Sequence, residues 1–149
     1  MNLFDQISEA IKKAMLAKDK VRLDALRGVK KEFLEAKTAK GASGELDDAA
    51  ALKIIQKLVK QRKESAGIFQ TQGRPELAEI ELAEAAILET YLPQQMPLEE
   101  LQTVLKEIIV RAGAQNPSDI GKVMAVASKQ LAGKAEGRLI SEQVKLLLQ

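Results

Sequence analysis

Between Lys53 and Pro93, two stretches of helical periodicity flank the turn-forming run Gln72-Gly73-Arg74-Pro75, and the segment stops at Tyr91-Leu92-Pro93. Folded at 100° per residue, Ile55, Leu58 and Val59 line one side of the first helix, with Arg62 in the middle of that side. Leu77, Ile80, Ile87, Leu88 and Tyr91 line the second, with Glu84 in their midst. Arg62 lies eleven residues before Gly73 and Glu84 eleven after it, so an antiparallel hairpin brings them to one level. A lone charge on an apolar face is too costly to bury, which predicts a partly buried Arg62–Glu84 ion pair.

Such a pair reads first as a register device inside a helical bundle. The alternative is a catalytic or ligand-binding pair, but neither partner suits proton transfer: Arg stays protonated, and a Glu beside it is expected to stay ionised.

The 149 residues suffice for one domain or two small ones, and 46% hydrophobic with 30% charged residues describes a globular chain. With one Tyr, three Phe and no Trp, the core must be built from Leu, Ile, Val and Ala. No alternating β-branched run stands out, so the expected fold is all-α. Cys and His are absent. That removes disulfides, thiol nucleophiles, zinc ribbons and imidazole acid–base chemistry, and no metal or cofactor site is expected. The start Met1-Asn2-Leu3-Phe4-Asp5 lacks a signal-peptide pattern, and no apolar run approaches the ~18 residues of a membrane span, so a cytoplasmic location without membrane contact is expected.

The net charge is only +2, but it is unevenly spread. Residues 1–44 carry ten Lys/Arg against six acids, whereas residues 68–97 carry Arg74 against Glu76, Glu79, Glu81, Glu84 and Glu89.

Along the chain, Leu3, Ile7, Ala10, Ile11 and Ala14 mark a first helix over 2–17. Asp19 is the expected N-cap of a second over 20–39, with Leu23, Leu26, Val29 and Phe33 inward and Gly41 as C-cap. Asp47 or Asp48 caps the third helix, and Pro75 suits the first turn of the fourth. Pro93 and Pro97 bracket the best boundary. The expected domains are therefore a four-helix N-terminal domain, 1–93, and a small three-helix C-terminal domain, 97–149. In the latter, Leu98–Ala112 forms one helix, Asn116-Pro117-Ser118-Asp119 starts the next, and Ser141 caps the last.

Two groups of cations could carry chemistry. Lys53, Lys57 and Lys60 form a stripe opposite the apolar side of the third helix, either a solvated face or a rail for nucleic-acid phosphates. No aromatics interleave with them for base stacking. The turn Gly133-Lys134-Ala135-Glu136-Gly137-Arg138 is either a plain helix–helix turn or a phosphate cradle made by its backbone and Lys134, with Arg138, Lys122 and Lys129 nearby. The glutamates lack the Glu-x-x-His pattern of di-iron bundles, and no Ser/His/Asp or Ser/Lys arrangement is visible.

Several segments together resemble the GatB/YqeY family: Lys60-Gln61-Arg62-Lys63-Glu64-Ser65, Arg74-Pro75-Glu76-Leu77-Ala78, the run Glu81, Glu84, Ile87 to Tyr91-Leu92-Pro93, Gly121-Lys122-Val123-Met124, and Gly133 through Ser141. The family joins free-standing YqeY-like proteins to the helical tail of the B subunit of tRNA-dependent amidotransferases. The resemblance spans nearly the whole chain and implies a two-domain all-α fold. It also implies a tRNA-binding accessory role in amidation of Glu-tRNA(Gln) or Asp-tRNA(Asn), with tRNA, aminoacyl-tRNA or amidotransferase subunits as partners. Lys122, Lys134 and Arg138 match the tail positions that could touch tRNA. The chain lacks the cradle domain, glutaminase and ammonia channel of those enzymes, so a label of carbon–nitrogen ligase with glutamine as amido-N-donor describes its relatives. A helical protein–protein adaptor without RNA binding is the alternative expectation.

Overall fold

The structure is a computed structural model that describes residues 2–149. Seven α-helices and one 3-10 turn, and no strand, occur among the described residues: α1 Leu3–Ala17, α2 Lys20–Thr38, α3 Asp48–Thr71, α4 Pro75–Glu89, α5 Leu98–Ala112, the 3-10 turn Pro117–Asp119, α6 Ile120–Gln130 and α7 Gly137–Leu147. They fall into two compact units, Met1–Leu92 and Pro93–Gln149.

The boundaries follow local chemistry. The Asn2 side chain accepts from Asp5 N, that of Asp19 from Arg22 N, and that of Asp47 from Ala50 N, each satisfying a helix-start amide that has no partner within its helix. The neighbouring Asp48 accepts from Leu3 N at 3.0 Å and so ties the start of α1 to the start of α3. Pro75 occupies the first turn of α4. Between α1 and α2 the chain reverses through Lys18, which takes a left-handed conformation (φ 55°) without being glycine. The end of α2 is capped by Ala39 rather than Gly41; Gly41 and Gly44, both with positive φ, shape the link that follows.

In the first unit, Leu3, Ile7, Ile11 and Ala14 of α1 meet Ala25, Leu26, Val29 and Phe33 of α2, and both sets close over Ala51, Ile55, Leu58 and Val59 of α3 and Ala85 and Leu88 of α4. The inner stripe expected for α4 is corrected in part. Its buried residues are Ala78, Ala85 and Leu88, while Ile80 is exposed and Leu77 and Ile87 are half-buried. Small side chains at the contact let α3 and α4 run close together, which pushes the bulkier isoleucines to the side of the hairpin.

The second unit packs Leu101, Leu105 and Ile108 of α5 against Val123 and Ala127 of α6 and Ile140 and Val144 of α7. Ser141 does not cap α7. The helix starts a turn earlier, at Gly137 with Glu136 as its N-cap, because Ile140 shares the buried face with Val144 and Leu148 at i+4 and i+8. The buried Gln143 is satisfied by Gln102, whose Nε2 donates to Gln143 Oε1 at 2.9 Å.

Candidate nucleic-acid interface and the polar junction of the first unit

The two helices of the α3–α4 hairpin meet at the pair derived from the spacing about Gly73. Arg62 Nε lies 3.1 Å from Glu84 Oε2, with side chains only 17% and 15% exposed. The Nε atom is fully enclosed yet makes no well-aligned hydrogen bond, so the contact holds by charge. Burial, the leading cause, pushes the Glu84 carboxyl above its ordinary value; Arg62 pulls it back, and Glu81 and Asp24 push it up again. Desolvation and two neighbouring acids thus outweigh the single guanidinium in setting the direction of the shift.

A third helix completes this junction. A Cβ built on Gly28 of α2 would stand 3.1 Å from Arg62 Nη2, so the guanidinium rests on the bare backbone of α2. The sequence carried a signal for this, a glycine in the interior of a good helix, where alanine would be favoured by about 1 kcal/mol. On the same helix Asp24 lies one turn before Gly28 and acts on Glu84. Nearby, Tyr91 is raised by burial and lowered by the charge of Arg22. Arg62 thus joins α3 to Glu84 of α4 and to the backbone of α2 at Gly28. That arrangement holds helices together and offers no group poised for proton transfer.

Lys53, Lys57 and Lys60 are all exposed on α3, opposite Ala51, Ile55, Leu58 and Val59. Neither Lys53 nor Lys57 is paired with an acid among the described residues. One turn beyond Lys60, Lys63 Nζ is held by Glu89 Oε1 of α4 at 2.6 Å.

In the second unit the candidate cations differ from one another. Lys122 Nζ sits 3.7 Å from Asp119 Oδ1, and Arg138 Nε 3.2 Å from Glu142 Oε1, so each faces an acid of its own helical turn. The Asp119 carboxyl is held below its usual range chiefly by the backbone N–H of Gln115, so it stays ionised opposite Lys122. Lys134 is exposed, and its ammonium has no partner among the described residues.

The turn carrying Lys134 is pinned from behind. The Gly133 carbonyl accepts from Gln95 Nε2 at 2.7 Å, and the Lys134 carbonyl from Met96 N at 2.8 Å. The amides of Lys134 and Ala135 both donate to Leu131 O. Gly133 needs its positive φ of 76°, whereas Gly137 is helical and Arg138 belongs to α7. The turn therefore presents the Lys134 side chain, not a ring of free amides, to an incoming phosphate. No group of acids with metal-binding geometry, and no helix long and apolar enough to cross a membrane, occurs among the described residues.

A family model for Yqey-like proteins matches residues 4–148. The chain belongs to the YqeY-like family. Among the relatives of this YqeY-like chain is altered inheritance of mitochondria protein 41, mitochondrial, of Kluyveromyces lactis, 30% identical over 142 residues that cover 93% of this chain and 72% of the relative. The protein of the same description from Clavispora lusitaniae is 30% identical over 135 residues, covering 87% and 76%. The likeness to both therefore takes in both units of the YqeY-like fold.

Proposed function

We propose that this YqeY-like chain is a tRNA-binding accessory protein of tRNA-dependent amidation, with no catalytic centre of its own. The observation that carries the reading is the exposed row Lys53, Lys57, Lys60, with no acid set against the first two. Ammonium groups one helical turn apart can follow a phosphate backbone without reading bases. Lys134 adds a free cation in the second unit. Lys122 and Arg138 would have to exchange Asp119 and Glu142 for phosphate, which makes them secondary contacts.

In this reading residues 1–93 form a four-helix domain and residues 97–149 a three-helix domain, each offering the tRNA one set of cations. The amidation partner, an amidotransferase subunit or free aminoacyl-tRNA, follows from the family resemblance. The carbon–nitrogen ligase activity belongs to the multi-domain relatives. The proposed compartment is the cytoplasm, whereas the fungal relatives are described as mitochondrial.

The test is a polarisation titration with tRNA(Gln) and with bulk tRNA at low and near-physiological salt. Binding should weaken steeply as salt rises, and each phosphate contact removed should lower the log–log slope by about 0.7 to 0.9. Lys53→Glu, Lys57→Glu and Lys60→Glu together should abolish it, and Lys134→Ala with Arg138→Ala should weaken it. Absence of binding at low salt refutes the reading. The adaptor alternative is favoured by one observation, the exposure of Ile68 on α3 and Ile80 on α4.

A further inference from the structure

The corner between α1 and α2 carries the most exposed large apolar side chain among the described residues, Leu16 at 86%. Leu3, Ile7, Ile11 and Ala14 bury one side of α1. At 100° per residue Leu16 lies almost directly across the helix from that side, so the core cannot take it in. Its neighbour Met15 is 52% exposed. The corner itself is held by hydrogen bonds. Lys18 N donates to Met15 O at 3.2 Å, Asp19 N donates to Ala14 O at 3.0 Å, and the Asp19 side chain caps α2. The last turn of α1 therefore presents Leu16 in a defined direction.

Cations flank this apolar tip. One turn back on α1, Lys12 lies about 40° to one side of Leu16 and Lys13 about 60° to the other. Beyond it come Lys18 at the corner and Lys20 at the start of α2. All four are exposed, and none is within ion-pair reach of an acid among the described residues. Asp19, the one acid of residues 12–21, is already engaged by Arg22 Nε at 3.4 Å. Glu9, the nearest acid on α1, lies seven residues before Leu16, about 10 Å along the axis.

An apolar tip among unpaired cations matches the surface of an anionic bilayer, where leucine enters the acyl boundary and ammonium groups meet the lipid headgroups. An RNA backbone would satisfy the lysines but leave Leu16 and Met15 in water, and residues 12–21 hold no aromatic ring for a base to stack on. Contact with a bilayer surface needs no apolar span.

We infer that the α1–α2 corner is a peripheral docking point for an anionic lipid surface, with Leu16 and Met15 at the headgroup–acyl boundary and Lys12, Lys13, Lys18 and Lys20 on the headgroups. This corner is separate from the lysine row of α3, so failure of tRNA binding leaves it standing, and the reverse holds too.

The test is co-sedimentation of the full chain with phosphatidylcholine vesicles made with and without phosphatidylserine. Binding is expected only with phosphatidylserine and should weaken as salt rises. Leu16→Ser should weaken it at least tenfold, and Lys12→Gln or Lys20→Gln by about fivefold each. Val110→Ser, at another exposed apolar residue, should leave it unchanged. Circular dichroism melts show that each variant is folded, and Leu16→Gln replaces Leu16→Ser if the latter is not. Because the chain has no cysteine, Leu16→Cys also gives a single site for an environment-sensitive dye. Its emission should shift to the blue on phosphatidylserine vesicles, while the same dye on Val110→Cys should not respond. Equal binding to both vesicle types, indifference to Leu16→Ser, or an unshifted dye at position 16 overturns the inference. So does loss of tRNA binding, with vesicle binding intact, in Lys12→Gln and Lys20→Gln, since the occupant of the corner would then be nucleic acid.

Discussion

Gly28→Ala tests the three-helix junction at its tightest point. In an ordinary helix interior this change stabilises by about 1 kcal/mol, because alanine loses less backbone freedom on folding. Here the new Cβ would stand 3.1 Å from Arg62 Nη2, about half an ångström short of the 3.5–4.0 Å optimum for such contacts. Arg62 cannot simply swing away, since it is 83% buried and held 3.1 Å from Glu84. Forcing an extra methyl into packed surroundings costs about 1–3 kcal/mol. The two effects together predict a net loss of about 1 kcal/mol in urea denaturation monitored by circular dichroism. In an Arg62→Ala background the obstacle is gone, and the same change should gain about 1 kcal/mol, a coupling of about 2 kcal/mol. A gain of similar size in both backgrounds would show that the guanidinium does not rest on Gly28.

The pair itself is tested by Arg62→Met, Glu84→Leu and the double variant: the arginine change alone should cost about 2 kcal/mol, less than a fully buried pair because both side chains are partly wet, and the double should cost less than the sum. Additive losses would mean no pair. The raised Glu84 value makes a pH prediction, because the folded chain binds that proton more tightly than the unfolded chain. Stability contributed by Glu84 therefore falls as pH rises from its ordinary 4.5 through the raised folded value, and urea midpoints from about pH 4 to 7 should decline more in the wild type than in Glu84→Gln. The opposite order contradicts the burial argument. Lys18→Gly removes a side chain from the left-handed conformation between α1 and α2 and should stabilise by up to about 1 kcal/mol in the same assay, whereas a loss would show that the Lys18 side chain matters to the corner.

Of the candidate cations, the pairing of Lys122 and Arg138 follows from spacing alone, since Asp119 lies three residues before one and Glu142 four after the other. That Lys134 stands clear while its turn is pinned by Gln95 and Met96 depends on contacts about forty residues apart, for which the local pattern holds no signal. Gly28 was visible as an oddity in a helix, but its partner Arg62 lies 34 residues away, on another element.

What the chain determined by itself is therefore local. The Asp19 and Asp47 caps, Pro75 in the first turn of α4, and the apolar rows of α1 and α5 all act within a few residues, and the helices begin and end accordingly. Periodicity shows which side of a helix is apolar, but not whether another element reaches it. Only the tertiary structure decided that Ile87 is covered and Ile80 is bare on the same row, that α7 opens early enough to bury Ile140, and that one arginine serves three helices. Burial depends on where the neighbouring helices stop, and that is a property of their packing rather than of the pattern along any one of them.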